Sequence, residues 1–243
     1  HPIIAERYRA LSQAAASVAS PQLRNQGTIG GNICQRPRCW YFRGEFHCLR
    51  KGGNTCYAIA GENQYHAILG GDRCYIVHPS DTAPALLALD ARVSIAGPRG
   101  TRTVPMDEFF VLPSTDITRE TVIEPGEIVT EIQLPAPPAG LRSSYRKVRA
   151  RRSWDFALAG VALALQIDGD RVTGGRVVLS GAAPVPWRST EAEAVIRGSQ
   201  LDTVTATRAA EAAMRDARPL MRNAYKVPLF KGLIEEELLA VGA

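Results

Sequence analysis

The chain has no apolar stretch long enough to cross a bilayer. Its longest, Phe156 to Leu165, is broken by Gly160, whereas a spanning helix needs ~20 apolar residues. No secretory leader is expected either, because the alanines of His1 to Ser20 follow no basic start and are interrupted by Ser and Gln. A start at His1 rather than Met is what a fragment or a processed chain would show. The expected location is therefore cytoplasmic, with export to the periplasm on a partner's signal as the alternative. Repeats and low-complexity tracts are missing, and so is cysteine throughout the chain after Cys74.

With 243 residues, 45% of them hydrophobic, the chain can bury a core, and two domains are favoured over one. The formal charge of +5 raises the question of nucleic acid. The basic residues gather at Arg36–Arg38 and along Arg142–Arg152, but the second group has a strand pattern and no nucleic-acid motif accompanies either. A solvated or protein-docking face is expected instead.

Apolar residues at Ile4, Tyr8, Leu11, Ala15 and Val18 predict a helix over 3–20, ended by Pro21. The glycines of 22–32 predict tight turns rather than regular structure. From Cys34 to His78 periodicity is lost, and an irregular segment of that length needs something to staple it. Strands are expected at Cys74–Val77 and Arg92–Ala96, and helices at Asp81–Leu89, capped by Ser80 or Asp81, and from Met106 to Phe110. A strand at Glu127–Leu134 leads to the linker Pro135–Gly140. Beyond it, strands at Ser144–Val148, Ala157–Ile167 and Arg171–Leu179 and helices at Thr203–Arg218 and Val227–Val241 predict a small sheet covered by helices.

All five cysteines, at 34, 39, 48, 56 and 74, fall in this irregular window. Disulfides would leave one thiol over, and a chain of this size does not need them. A structural zinc usually has a C-x2-4-C knuckle, but the gaps after Cys39 are eight, seven and seventeen residues, and only Cys34 and Cys39 form a C-x4-C pair. An iron–sulfur cluster accepts four thiolates at looser spacings and wants N–H donors, which Arg50, Gly52 and Gly53 could supply. On spacing alone the cluster is favoured over zinc and disulfides, and His47 and His66 stay as alternative ligands.

Thr28-Ile29-Gly30-Gly31-Asn32 offers consecutive backbone amides without bulky side chains, which suits a pyrophosphate. The run Pro21 to Ile33 closely resembles the second FAD-binding loop of the flavin subunits of molybdenum hydroxylases, the group that includes xanthine dehydrogenase and carbon monoxide dehydrogenase. The resemblance continues through His78-Pro79-Ser80-Asp81, Gly126-Glu127-Ile128-Val129, Tyr145-Arg146-Lys147-Val148-Arg149 and Asp155-Phe156-Ala157, covering almost the whole chain in order. The cysteine-bearing insertion before the Ser-Asp element resembles that of the flavin subunits of periplasmic aldehyde oxidoreductase and 4-hydroxybenzoyl-CoA reductase.

This resemblance implies an α+β fold. Residues 1–138 would be the second lobe of a two-lobed FAD-binding domain with an iron–sulfur insertion at about 34–78, and 139–243 a C-terminal domain of antiparallel sheet covered by helices. It implies FAD at Gly27, Thr28, Ile29, Gly30, Gly31 and Asn32, with Ser80, Asp81, Ile128 and Lys147. It also implies a [4Fe-4S] cluster on Cys39, Cys48, Cys56 and Cys74, with Cys34 outside the set as a small apolar residue. No residue is assigned to catalysis on substrate. The partners implied are a molybdopterin-binding large subunit and a small [2Fe-2S] subunit, with electrons relayed from aldehyde-type oxidation to an external acceptor. The family's first FAD lobe has no counterpart here, so the chain is a fragment, another polypeptide supplies that lobe, or FAD is held weakly or not at all. Two rival readings are a zinc-stabilised basic module for nucleic acid and a structural subunit without flavin.

Overall fold

The computed structural model describes residues 1–243. The N-terminal helix is expected to be continuous, but it is two helices, α1 (Pro2–Arg7) and α2 (Arg9–Ser17). Tyr8 leaves helical geometry between them, at φ −133° and ψ 54°, and turns its ring inward to donate its hydroxyl to Pro135 O at 2.8 Å. Pro21 starts a helix rather than ending one. Proline at the first helical position gives up no bonded N–H and presets φ, and the Ser20 hydroxyl accepts from Leu23 N, so α3 runs from Pro21 to Gln26. The glycine run also holds regular structure, the single turn α4 (Ile29–Ile33).

The insertion contains α5 (Trp40–Arg43) and a 3-10 turn at Leu49–Lys51. Gly53 is required there, because a Cβ would run into the His47 carbonyl where the loop folds back on itself. Cys74–Val77 forms no ladder, against expectation. Its backbone is spent on loops instead, with Ala67 N donating to Tyr75 O (2.8 Å) and the following His78 N to Ala183 O (3.1 Å).

After the insertion come α6 (Thr82–Ala88), β1 (Arg92–Gly97), β2 (Gly100–Pro105), α7 (Met106–Phe109) and β3 (Ile128–Gln133). The three strands form an antiparallel sheet in the order β2-β1-β3. A second antiparallel sheet, in sequence order, consists of β4 (Leu141–Val148), β5 (Ala159–Asp168), β6 (Arg171–Ser180) and the short β7 (Trp187–Arg188). It is followed by α8 (Thr190–Ile196), α9 (Thr203–Ala213) and α10 (Lys226–Gly242).

Both faces of the larger sheet are covered, and side-chain alternation divides them. Val161, Leu163, Leu165, Val177 and Leu179 pack with α8–α10, whereas Tyr145, Ala162, Ala164 and Val178 pack with α2, α6 and the smaller sheet. On β5 the bulkier Val161, Leu163 and Leu165 thus face the helical layer, and Ala162 and Ala164 face α2 and α6. The two parts of the chain share this sheet as a wall. No helix is long and apolar enough to cross a membrane.

Phe230 is fully buried in the helical layer, whereas Val204 is 65% exposed. Phe230→Ala should cost about 3–5 kcal/mol by the cavity it leaves, and Val204→Ala less than ~0.5 kcal/mol. Urea unfolding of the two variants checks the contrast.

Candidate functional site

The glycine loop is built around Thr28. Its hydroxyl accepts from Gly31 N at 3.0 Å, and a Cβ at position 31 would stand only 3.1 Å from that oxygen. As the first two residues of their turn, Ile29 and Gly30 have amides without an intrahelical acceptor. Asn32 ties the loop to the Ser-Asp element, its Oδ1 accepting from Ser80 Oγ and Thr82 Oγ1, both at 2.6 Å. The Asn32 amide nitrogen has no bond to protein, and the residue lines an open cleft with Arg24, Gly27, Thr28, Ile29 and Gly31. Ile128 opens the strand whose next residue, Val129, lies over Gly30, and Ile128 itself is 65% exposed.

The division of labour between Ser80 and Asp81 is clear in the geometry. Ser80 Oγ accepts from Ala83 N at 2.9 Å and so caps α6, which leaves the Asp81 carboxylate free of that duty. Asp81 instead accepts from Lys147 Nζ (2.7 Å) and Tyr145 OH (2.9 Å). Burial pushes its carboxyl above the usual range, against the pull of the Lys147 ammonium and the Tyr145 hydroxyl. Lys147 is buried against Asp81, with 3% of its side chain exposed. Tyr145 was not anticipated from the sequence, although period-2 spacing puts it on the same strand face as Lys147.

Cys39, Cys48, Cys56 and Cys74 line one small pocket, with Arg50 and His66 also in its wall. Cys34 is not part of it; it closes α4. None of the five thiols is paired in a disulfide. Burial raises the Cys39 and Cys56 thiols, and their neighbours add to this, Cys74 for both and Cys56 for Cys39. Backbone amides pull the other way, from Tyr41 and Phe42 at Cys39 and from Ala58, Ile59 and Tyr75 at Cys56. No three His, Cys, Asp or Glu side chains converge closely enough to hold a single metal ion.

Arg50, expected as an N–H donor, and His66, considered as an alternative ligand, both line this pocket. Arg50, its side chain 1% exposed, donates Nη1 to Glu120 Oε1 (2.8 Å) and Arg119 O (3.2 Å) but leaves Nε buried without a partner. His66 Nε2 lies 3.3 Å from Cys39 Sγ. Burial and the Lys226 charge lower the His66 pKa to about 4, so its ring is neutral near pH 7. His47, the other histidine of the window considered as a ligand, does not line the pocket.

The fold and cleft are those of an α+β cofactor-binding module. Residues 1–137 match the model of the FAD binding domain in molybdopterin dehydrogenase, and residues 143–241 that of the CO dehydrogenase flavoprotein C-terminal domain. The chain is 39% identical over 238 residues to the aldehyde oxidoreductase FAD-binding subunit PaoB of Escherichia coli, covering 95% of this chain and 70% of that subunit. It is 29% identical over 219 residues to the carbon monoxide dehydrogenase medium chain of Hydrogenophaga pseudoflava, covering 90% of this chain and 60% of that one. A solved structure of carbon monoxide dehydrogenase from the same organism superposes with a TM-score of 0.72 at 28% identity, over 99% of this chain and 69% of its own. The chain belongs to the family of FAD-binding subunits of the molybdenum hydroxylases and is an oxidoreductase subunit.

Lys147→Met would leave the Asp81 carboxylate buried without its counter-ion. The expected cost is about 3–5 kcal/mol, read as a lower urea midpoint. A midpoint equal to that of the unsubstituted chain would contradict the ion pair's role.

Proposed function

We propose that this chain carries FAD and a [4Fe-4S] cluster in a molybdenum hydroxylase complex and relays electrons from aldehyde-type oxidation on a partner subunit to an external acceptor. The observation that carries the reading is the pocket lined by four cysteines, in a chain whose glycine loop lines an open cleft of its own. Four thiols that line one pocket are available together as the ligand set of a single group. The chemistry of the wall fits as well, since ligand sulfurs are stabilised by N–H donors. Backbone amides reach Cys39 and Cys56, and the Arg50 Nε–H has no acceptor in the protein.

In this reading Cys39, Cys48, Cys56 and Cys74 hold the cluster. Gly27, Thr28, Ile29, Gly30, Gly31 and Asn32 approach the FAD pyrophosphate, with the Ile29 and Gly30 amides and the Asn32 Nδ2 as free donors. Ser80 positions Asn32, and Ile128 presents an apolar surface to the cofactor. Asp81 and Lys147 support the floor beneath it from inside. The cofactors supply the redox chemistry, and the residues bind, orient and set potential. The partners are a molybdopterin-binding large subunit and a [2Fe-2S] small subunit. The chain spans 70% and 60% of the two relatives described, so the remainder of the flavin site is assigned to a first lobe outside these residues. Cluster assembly belongs to the cytoplasm, with export of the folded complex as the alternative.

Single Cys→Ser substitutions divide the thiols. Anaerobically purified complexes of the variants at Cys39, Cys48, Cys56 and Cys74 should lose iron and acid-labile sulfide, while Cys34→Ser keeps both. Equal iron in all five would reject the ligand set. Asn32→Ala removes the acceptor shared by Ser80 and Thr82, and the complex should then lose FAD while retaining iron; full flavin occupancy would reject the loop assignment.

A further inference from the structure

Outside the ligand set, one side chain stands against a proposed ligand sulfur. His66 Nε2 is 3.3 Å from Cys39 Sγ. Its other nitrogen, Nδ1, is buried with no hydrogen-bond partner. A proton on Nδ1 would be an orphaned donor, which is costly, whereas a proton on Nε2 faces an electron-rich sulfur. The ring thus places an Nε2–H toward Cys39.

The ring is held from behind by the C-terminal domain. Lys226 is completely buried, and its bonds go to carbonyls rather than to a carboxylate. Its amino group donates to three carbonyls, Tyr65 O (3.1 Å), His66 O (3.1 Å) and Gly181 O (2.8 Å). The buried amide of Asn223 donates to His66 O (3.0 Å) and Ala67 O (3.3 Å), and Tyr225 OH to Gln64 O (2.9 Å). Burying a lysine without a counter-ion costs free energy, and its three bonds tie the segment that carries His66 to Gly181 and to the start of α10.

We propose that His66 donates an Nε2–H···Sγ hydrogen bond to Cys39 as a cluster ligand and raises the cluster's reduction potential, with Lys226 as the positioning residue. The inference rests on the cluster reading above. Reduction adds one electron, delivered from the partner subunits, and moves no proton at His66. The added negative charge spreads onto the ligand sulfurs, so an N–H donor stabilises the reduced form more than the oxidised one. The same contact runs through the wall between the cysteine pocket and a wider cleft lined by Trp40, His78, Arg151 and Phe156, since Cys39 and His66 border both. The C-terminal domain, through Lys226, thereby sets the potential of a group held by the insertion.

The test uses the assembled complex purified without oxygen, with iron and sulfide assayed first and the midpoint potential then read by EPR-monitored titration. His66→Leu should lower the potential, shifting the reduction equilibrium on the order of tenfold. His66→Gln, which keeps an N–H donor, should restore it, and Lys226→Met should lower it as well. An unchanged potential in His66→Leu, or an equal fall in His66→Gln, would overturn the proposal while leaving the cluster in place. Absence of iron and sulfide from the unsubstituted complex would instead overturn the cluster reading itself. If His66→Leu loses the cluster, the test passes to the complex with His66 intact, 15N-labelled at histidine in a His47→Gln background. Pulsed EPR of the reduced cluster should then show coupling to a histidine nitrogen, and its absence would overturn the bond.

Discussion

A carboxylate withdrawn from water must take its counter-charge with it, and the arrangement of this chain depends on how Asp81 does so. Asp81 sits at the start of α6, a helix buried over its whole length, and reaches across to Lys147 and Tyr145 on β4. That pair locks the Ser-Asp segment onto the larger sheet. Asn32, bonded to Ser80 and Thr82 on either side of Asp81, then locks the glycine loop onto the same segment. The loop of free amides is thus fixed to the core of the molecule by two polar contacts in series.

The cysteine insertion obeys a different constraint. It has little regular structure, so its backbone polar groups find partners elsewhere. The carbonyls of residues 64–68 accept from the C-terminal segment that carries Arg218, Asn223, Tyr225 and Lys226. The opposite side is held by Glu120, which accepts from both Arg36 and Arg50. The insertion is therefore stapled from both flanks even without a cluster, and its thiols are set around a pocket rather than left to collapse on one another.

Much of this was legible in the sequence where periodicity is strong. The strands of the larger sheet and helix α10 fall close to their expected limits, because alternation and helical spacing there reflect two buried faces. Tyr8 and Pro21 misled for local reasons, the first because a tertiary bond to Pro135 outweighs helical continuity, the second because proline is as good a helix start as a stop. The short strands Gly100–Pro105 and Trp187–Arg188 and helix Thr190–Ile196 drew no expectation, being too short to show a period. In the site, the glycine loop and the cysteines stand out by composition. The burial of Lys147 against Asp81, the orphaned Nε of Arg50 and the approach of His66 to Cys39 do not, since each depends on contacts between residues distant in sequence.

The central claim is that one chain brings a cluster and a flavin together. Its most direct test is the content of the unsubstituted complex, purified anaerobically and assayed for iron, acid-labile sulfide, zinc and FAD together. Because the partner subunits would carry [2Fe-2S] centres of their own, the reduced complex is also examined by EPR. The account predicts iron and sulfide in excess of those centres, a [4Fe-4S] signal and bound FAD. Zinc in place of the extra iron, or a complex without flavin, would contradict it.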